Sequence, residues 1–221
     1  MRIWGLRMLS TTQSTLLNEA AHRYARLIND EALAYLEGRG ISKEVAQRYS
    51  LGTIADPIEG HQGYTGWISI PYFTALDICV GFKFRRLDDG KPKYGAPVGQ
   101  KSHLYNVIAT TYDSSKIVIC EGEFDAIIMN EAGIPAVGVP GVAAWKPYYS
   151  KLFTGFDVIY VIGDNDTRED KETNPGAEFA RRVASEVVNS QIVQLPPGMD
   201  ITDFYLANGR QELTNLVGGV R

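Results

Sequence analysis

Two apolar runs, each ending abruptly in acidic residues, constrain the fold of this 221-residue chain more than any other feature. The runs Ile117–Cys120 and Val158–Ile162 are rich in β-branched residues and have the length and continuity of strands buried on both faces of a parallel sheet. Glu121 follows the first run, and Asp164 and Asp166 follow the second. Because open α/β sheets bind ligands at the carboxyl ends of their strands, this pattern predicts an α/β fold with a site at that edge.

The residue types at this edge indicate the chemistry of the predicted site. Several carboxylates without a neighbouring His or Cys suit a hard cation such as Mg²⁺ or Mn²⁺. Crowded carboxylates also repel one another, so such a cluster is costly unless a cation occupies it. The alternative is structural, because acidic residues after strands often cap helices and Asp164-Asn-Asp166 alone is a plausible turn. Both segments together, with a helical pattern between them, favour the metal site.

The segment Glu121-Gly-Glu-Phe-Asp125, followed by Asp164-Asn-Asp166, resembles the TOPRIM domain of type IA and II topoisomerases, bacterial and phage primases, and some nucleases. The resemblance covers roughly the second half of the chain. It implies a Rossmann-like domain in which Glu121, Asp164 and Asp166 are the catalytic residues and hold divalent metal for phosphodiester chemistry. Asp125 is a further candidate at the same edge.

Charge, cysteine content and hydropathy exclude several classes of protein. The net charge of −4 and the pI of about 5.4 make the field of the whole chain weakly repulsive to nucleic acid, so any such contact requires a local basic patch. Cys79 and Cys120 lie in apolar runs and the three histidines are scattered, which argues against a disulfide framework or a zinc site. Without a bilayer-length apolar run or a signal peptide, we expect no membrane partner and an intracellular protein.

A basic and aromatic stretch follows a predicted hairpin formed by residues 67–73 and 78–85. Five cations lie between Arg85 and Lys101, and Tyr94 and Tyr105 lie among or just after them. On composition alone this could be a solvated loop with ordinary lysines, or a nucleic-acid contact.

Several segments of the first half are similar to the catalytic core of bacterial-type primases. They are Tyr35–Gly52 with its Arg-Gly-Ile, Gly81-Phe-Lys-Phe-Arg85, Pro92-Lys93-Tyr94, and Lys101-Ser-His-Leu104-Tyr105. The resemblance implies that Arg85, Lys93, Tyr94, Lys101 and Tyr105 bind template and nucleotide. Topoisomerases do not carry this module before their TOPRIM domain.

A further acidic pair lies near the carboxyl end of the chain. Gly198 and two prolines predict a turn after a strand, which would place Asp200 at the same edge of the sheet. Helix capping is the alternative interpretation of Asp200 and Thr202. Primases have a similar Pro-x-Gly-x-Asp-x-x-Asp segment, and the resemblance implies that Asp200, more than Asp203, lies near the metals.

The resemblance also predicts the domain organisation. We expect a smaller primase-specific α+β subdomain over residues 1–113 and a Rossmann-like TOPRIM domain with a parallel sheet over 114–221. In the family, the Asp-x-Asp motif is followed almost at once by Ala-Gly and a helix. Here residues 167–174 intervene, and we expect them to form either a loop over the site or a nucleic-acid contact. The family's zinc-ribbon and helicase parts are missing from this sequence, so it is either a trimmed core or a small stand-alone enzyme of the phage or plasmid kind; we favour the second.

The function implied is that of a DNA primase, a nucleotidyltransferase that makes short RNA primers on single-stranded DNA in the cytoplasm of a bacterial or phage-infected cell. Its partners would be the template, ribonucleoside triphosphates and a replicative helicase, and its cofactor two Mg²⁺ or Mn²⁺ ions rather than zinc. Glu121 is either a metal ligand or the base for the attacking hydroxyl. The alternatives are a TOPRIM-type nuclease that hydrolyses DNA and a non-catalytic DNA-binding replication accessory protein.

Overall fold

The computed structural model describes residues 9–165 and 174–218, which form two four-stranded sheets with helices around them. The helices are α1 Thr11–Arg26, α2 Asp30–Gly38, α3 Lys43–Arg48, α4 Glu123–Glu131, α5 Pro175–Glu186 and α6 Ile201–Leu216. The strands are β1 Gly52–Thr53, β2 Ile68–Phe73, β3 Cys79–Arg85, β4 Tyr94–Gly95, β5 Lys116–Cys120, β6 Ala136–Gly138, β7 Val158–Ile162 and β8 Ser190–Ile192.

The first sheet is antiparallel and contains the predicted hairpin. Its strand order is β1-β2-β3-β4, and β2 pairs with β3 from Ile68 opposite Arg85 to Phe73 opposite Cys79. The alternation along β3 buries Phe82 and Phe84 completely against α1. Lys83 and Arg85 occupy the alternate positions of β3, so their side chains face the other side of the hairpin.

The second sheet is parallel, with strand order β6-β5-β7-β8. Each strand pair is joined through a helical segment, as parallel pairing requires. The pattern of buried β-branched strands is confirmed, and so is the predicted fold class of a parallel α/β sheet preceded by an α+β unit. Cys120 lies opposite Ile162 in the register of β5 and β7, so both strands end level with each other.

The two sheets share one hydrophobic core. A single cluster of buried side chains includes Leu36 of α2, Ile70 and Tyr72 of β2, Val118 of β5 and Phe204 of α6. Each sheet lies on its own side of residue 113, yet the packing between them is continuous. The boundary between residues 113 and 114 stays a prediction.

Three local features complete the fold. Residues Pro147–Phe153 form a 3₁₀ helix. Helix α6 is broken at Gly209, whose φ of 81° is not helical. Ser42 caps α3, because its side chain accepts from Val45 N–H. Among the helices in the described ranges, none combines the length and apolar character needed to cross a bilayer.

Candidate active site and cleft

Glu121 and Asp164 meet at the carboxyl edge of the parallel sheet. The Asp164 backbone N–H donates to Glu121 Oε2 over 3.1 Å, although 43 residues separate them. The cause is the level register of β5 and β7, which brings the residues that follow both strands to the same point. Asp166 and the insertion 167–174, apart from Asn174 at its end, lie outside the described residues.

Glycines hold the backbone at this edge in close contact. A Cβ added to Gly163 would lie 2.1 Å from the carbonyl oxygen of Gly176, and one added to Gly176 would lie 1.9 Å from that of Asp164. Both distances are far shorter than any allowed contact. The first turn of α5 therefore packs directly on the end of β7, and Asn174 caps this helix by accepting from Ala177 N–H at 3.0 Å.

Asp125 lies beneath the same edge and is almost completely buried, with 6% of its surface exposed. One carboxylate oxygen accepts from the backbone N–H of Thr202 at 3.2 Å and from its hydroxyl at 2.9 Å. Burial, followed by the charge of Asp200, raises the pKa of Asp125 to about 7, against the opposing effect of Thr202 and Arg39. The charge of Asp200 therefore acts on Asp125, whereas the crowding expected of Glu121, Asp164 and Asp166 stays a prediction.

Asp200 and Asp203 form a capping box at the start of α6. Asp200 Oδ1 accepts from Asp203 N–H at 2.7 Å, and Arg39 donates to Asp200 Oδ2 at 2.6 Å and to Asp203 Oδ1 at 3.4 Å. The capping interpretation of Asp200 therefore describes its contacts, and the Arg of the Arg-Gly-Ile segment neutralises it. A metal role for either aspartate stays a prediction.

The donor chemistry fits a hard divalent cation. Glu121 and Asp164 supply oxygen ligands, and the hydrogen bonds to the buried Asp125 come from Thr202. In the ranges 9–165 and 174–218 no three His, Cys, Asp or Glu residues stand close enough together to hold a metal ion. The predicted third ligand, Asp166, lies outside those ranges.

A buried ion pair joins the hairpin to the carboxylate edge. Lys83 Nζ of β3 contacts both oxygens of Glu123 at 2.8 and 2.9 Å, and the Tyr72 hydroxyl donates to Glu123 Oε1 at 2.5 Å. Glu123 is 2% exposed and stands in the first turn of α4, two residues after Glu121. The ring of Tyr94 lies 4.4 Å from Lys83 Nζ. No local pattern in the sequence predicts Glu123 as the partner of Lys83.

Arg85 contacts two aromatic rings. Its guanidinium lies 5.3 Å from the ring of Tyr35 and 4.9 Å from that of Tyr94. Its Nε is buried and has no hydrogen-bond partner in the described part of the chain. Among the described residues, Arg85 forms cation–π contacts and no ion pair with a carboxylate.

A cleft of about 280 Å³ opens beside this group. Tyr72, Lys83 and Tyr94 line it from the hairpin side, and Lys101 and Pro140 line it from the loops that follow. Its walls therefore come from both halves of the chain, and predicted site residues Tyr94 and Lys101 lie within it.

The remaining predicted residues of the basic stretch lie in different surroundings. Lys93 is exposed, and its carbonyl accepts from Arg86 N–H at 3.0 Å. Tyr105 is only 3% exposed, with its ring 5.4 Å from that of Tyr72 and its backbone bridged to Gly138. This burial gives Tyr105 a packing role and leaves little of the ring for a ligand.

The chain is similar in sequence to phage and bacterial proteins. It is 39% identical over 154 aligned positions to the Gene 57 protein of Mycobacterium phage D29, covering 68% of this chain and 97% of that protein. It is 27% identical over 237 aligned positions to the DNA primase of Rickettsia felis, covering 90% of this chain and 40% of that enzyme. No family model matches the chain.

Solved structures share its fold. The zinc-binding and RNA polymerase domains of the Aquifex aeolicus primase give a TM-score of 0.77 at 22% identity, covering 96% of this chain and 62% of that one. A DnaG primase catalytic domain bound to single-stranded DNA gives 0.72 at 18% identity, covering 92% and 79%. The fold, the TOPRIM segments and these relatives agree, and the chain is therefore a member of the TOPRIM-fold family of bacterial and phage DnaG-type DNA primases, corresponding to their catalytic core.

Proposed function

We propose that this chain is a DNA primase that synthesises short RNA primers on single-stranded DNA by metal-dependent nucleotidyl transfer. The observation that carries the proposal is the contact between Glu121 and Asp164 at the carboxyl edge of the sheet. The chain spans about 40% of the length of the Rickettsia felis primase that it matches, so activity, substrates and partners are argued from its own residues.

Glu121, Asp164 and Asp166 are the residues proposed to hold Mg²⁺ or Mn²⁺. Bound divalent cations supply charge neutralisation for the triphosphate and for the pyrophosphate that leaves. Glu121 acts either as a ligand or as the base that accepts the proton of the attacking 3′-hydroxyl. The packing of Gly163 against Gly176 restrains the backbone of Asp164, whose N–H in turn donates to the Glu121 carboxylate, so Glu121 is oriented before any substrate arrives.

Template and nucleotide binding is assigned to the cleft and its basic rim. Arg85 presents a guanidinium that contacts the rings of Tyr35 and Tyr94 and forms no ion pair with a carboxylate of the described ranges, which suits it to a phosphate. Lys93 and Lys101 are exposed and form no ion pair within the described ranges. Lys83 is not assigned to phosphate binding, because its ammonium group already contacts the Glu123 carboxylate and the Tyr94 ring.

The Lys83–Glu123 pair supports the proposal that the two halves act together. Lys83 lies on the strand that lines the cleft, and Glu123 lies one helical turn from the carboxylate edge. The pair therefore fixes the distance between the proposed template side and the proposed metal side. In this function the protein acts in the cytoplasm of a bacterial or phage-infected cell, and a replicative helicase stays a predicted partner.

Primer synthesis tests the proposal directly. Purified protein is incubated with ribonucleoside triphosphates, random single-stranded DNA and Mg²⁺ or Mn²⁺, and the labelled products are separated by length. We expect short oligoribonucleotides with the wild type and none with Asp164→Ala. The matched control is Asp157→Ala, which changes an exposed aspartate at the opposite end of β7 and should leave synthesis unchanged.

The same assay distinguishes the alternative functions. Release of nucleotides from labelled DNA without any triphosphate, lost in Asp164→Ala, would replace the primase proposal with that of a nuclease. DNA binding without synthesis or hydrolysis under any metal would replace it with that of an accessory protein.

A further inference from the structure

The 3₁₀ helix Pro147–Phe153 presents an exposed aromatic ring on a firm support. Tyr148 is 62% exposed, and its ring packs edge to face on that of Tyr149 with centroids 4.7 Å apart. Tyr149 is itself buried, and its ring packs against Trp145 at 5.8 Å. The exposed ring of Tyr148 therefore rests on a packed aromatic cluster and is available to another molecule.

Two exposed lysines belong to the same segment as this ring. Lys151 follows Tyr148 by three residues, which places both on the same face because side chains three apart are eclipsed in a 3₁₀ helix. Lys146 precedes the helix, and both lysines are exposed. Neither forms an ion pair with an acid in the part of the chain that the structure describes. On a chain with a net charge of −4, this is a local surface that favours a polyanion.

A hydrogen bond joins the 3₁₀ helix to a loop that lines the cleft. The Tyr149 hydroxyl donates to the carbonyl of Ser102 at 3.0 Å, so the 3₁₀ helix lies beside the loop of Lys101 and Ser102 that lines the cleft. A chain of phosphates that contacts Lys101 can therefore extend toward Lys151.

We propose that Tyr148 stacks on a nucleobase of single-stranded DNA, while Lys151 and Lys146 contact the adjacent phosphates. This inference rests on the proposed function and extends its template path beyond the cleft. An exposed ring among lysines fits a single strand because every unpaired base offers a face for stacking. A duplex offers the same phosphates but keeps its bases stacked inside, so it would use the lysines without the ring.

Fluorescence anisotropy with a labelled single-stranded oligonucleotide tests the assignment. We expect Tyr148→Ala to bind about 5- to 150-fold more weakly than the wild type, the range for loss of one base–aromatic stack. Tyr148→Trp should retain the affinity, because it keeps an aromatic face for the base. The matched control is Leu152→Ala, which removes a neighbouring exposed side chain, 41% exposed, and should bind as the wild type does.

Two further measurements separate the ring from the charges. Lys151→Gln should lower the slope of log affinity against log salt by about 0.7, the value for one phosphate contact with a single strand. An oligonucleotide of abasic sites should bind the wild type and Tyr148→Ala equally. If Tyr148→Ala binds the normal strand as tightly as the wild type, the inference is wrong and the primase proposal stands. If the wild type binds no single strand at all, both are wrong.

Discussion

Acidification should destabilise the protein through His61, a group far from the candidate active site. His61 is 3% exposed and lies 3.0 Å, through Nδ1, from the Tyr24 hydroxyl. The rings of Phe82 and Phe84 lie 5.2 and 5.0 Å from its ring. Burial in this aromatic cluster lowers its pKa from 6.5 to about 4.

The sign and the size of the effect follow from linkage. Between pH 6.5 and about 4 the unfolded chain binds a proton at His61 that the folded protein does not, so stability falls as the pH falls through this window. For pKa values of 6.5 and about 4, a change from pH 7 to pH 5 lowers the free energy of unfolding by about 2 kcal/mol through His61 alone.

Asp125 acts in the opposite direction over the same range. Because its pKa is raised to about 7, the folded protein takes up a proton there as the pH falls from 7 to 5, and this uptake adds stability. The two effects offset each other in the wild type, whose unfolding free energy should therefore change less than either group alone would cause. A wild-type measurement by itself cannot reveal the contribution of His61.

Urea unfolding of variants isolates the contribution of His61 to the pH dependence of stability. Tryptophan fluorescence is followed at pH 7 and pH 5 with chelator present, for the wild type, His61→Gln and His22→Gln, which changes an exposed histidine. On going to pH 5 the wild type should lose about 2 kcal/mol more than His61→Gln, and as much as His22→Gln. Equal pH changes in the wild type and His61→Gln would refute the reasoning, as would a native-state His61 titration near pH 6.5.

Three other changes should have defined results. Lys83→Met should lower the free energy of unfolding by about 3 to 5 kcal/mol because it leaves the Glu123 charge buried alone, and Lys83→Met with Glu123→Leu should recover most of it in the same urea assay. Gly176→Ala should lower the free energy of unfolding by about 1 to 3 kcal/mol or more, lower the thermal midpoint and reduce primer synthesis. Gly155→Ala, where an added Cβ meets open space, should change the thermal midpoint little. Lys101→Gln should reduce the salt dependence of single-strand binding; an unchanged slope would remove Lys101 from the template path.

The strands and the position of the site could be predicted because their determinants are local. Continuous β-branched runs specify buried parallel strands, and the residue after each strand must lie at the carboxyl edge, which is why Glu121 and Asp164 meet. Asp200 illustrates a limit, since capping and metal binding both place an aspartate after a turn, and its contacts with Asp203 N–H and Arg39 are visible only in the structure.

Contacts between the two halves could not be predicted from local patterns. Alternation along β3 separated Lys83 from Phe82, yet its pairing with Glu123 depends on how the hairpin docks on α4. Tyr105 was expected to contact nucleotide, and its burial depends on the same docking. The segment Pro147–Phe153 is too short for its sequence period to distinguish a 3₁₀ helix from an α-helix.

The shared core has a consequence for how substrates are admitted. Enzymes that close about a hinge sample open and closed states because the interface between their lobes is small and hydrated. Here Tyr72 lines the cleft and also belongs to the hydrophobic core that the two sheets share. Opening the cleft by separating the two sheets would expose that core to water. Under the proposed function, selection among incoming nucleotides should therefore depend on whether they fit a cleft of fixed width. The amide hydrogen-exchange rates of β2 and β5 should be similar to each other and lower than those of the peripheral loops.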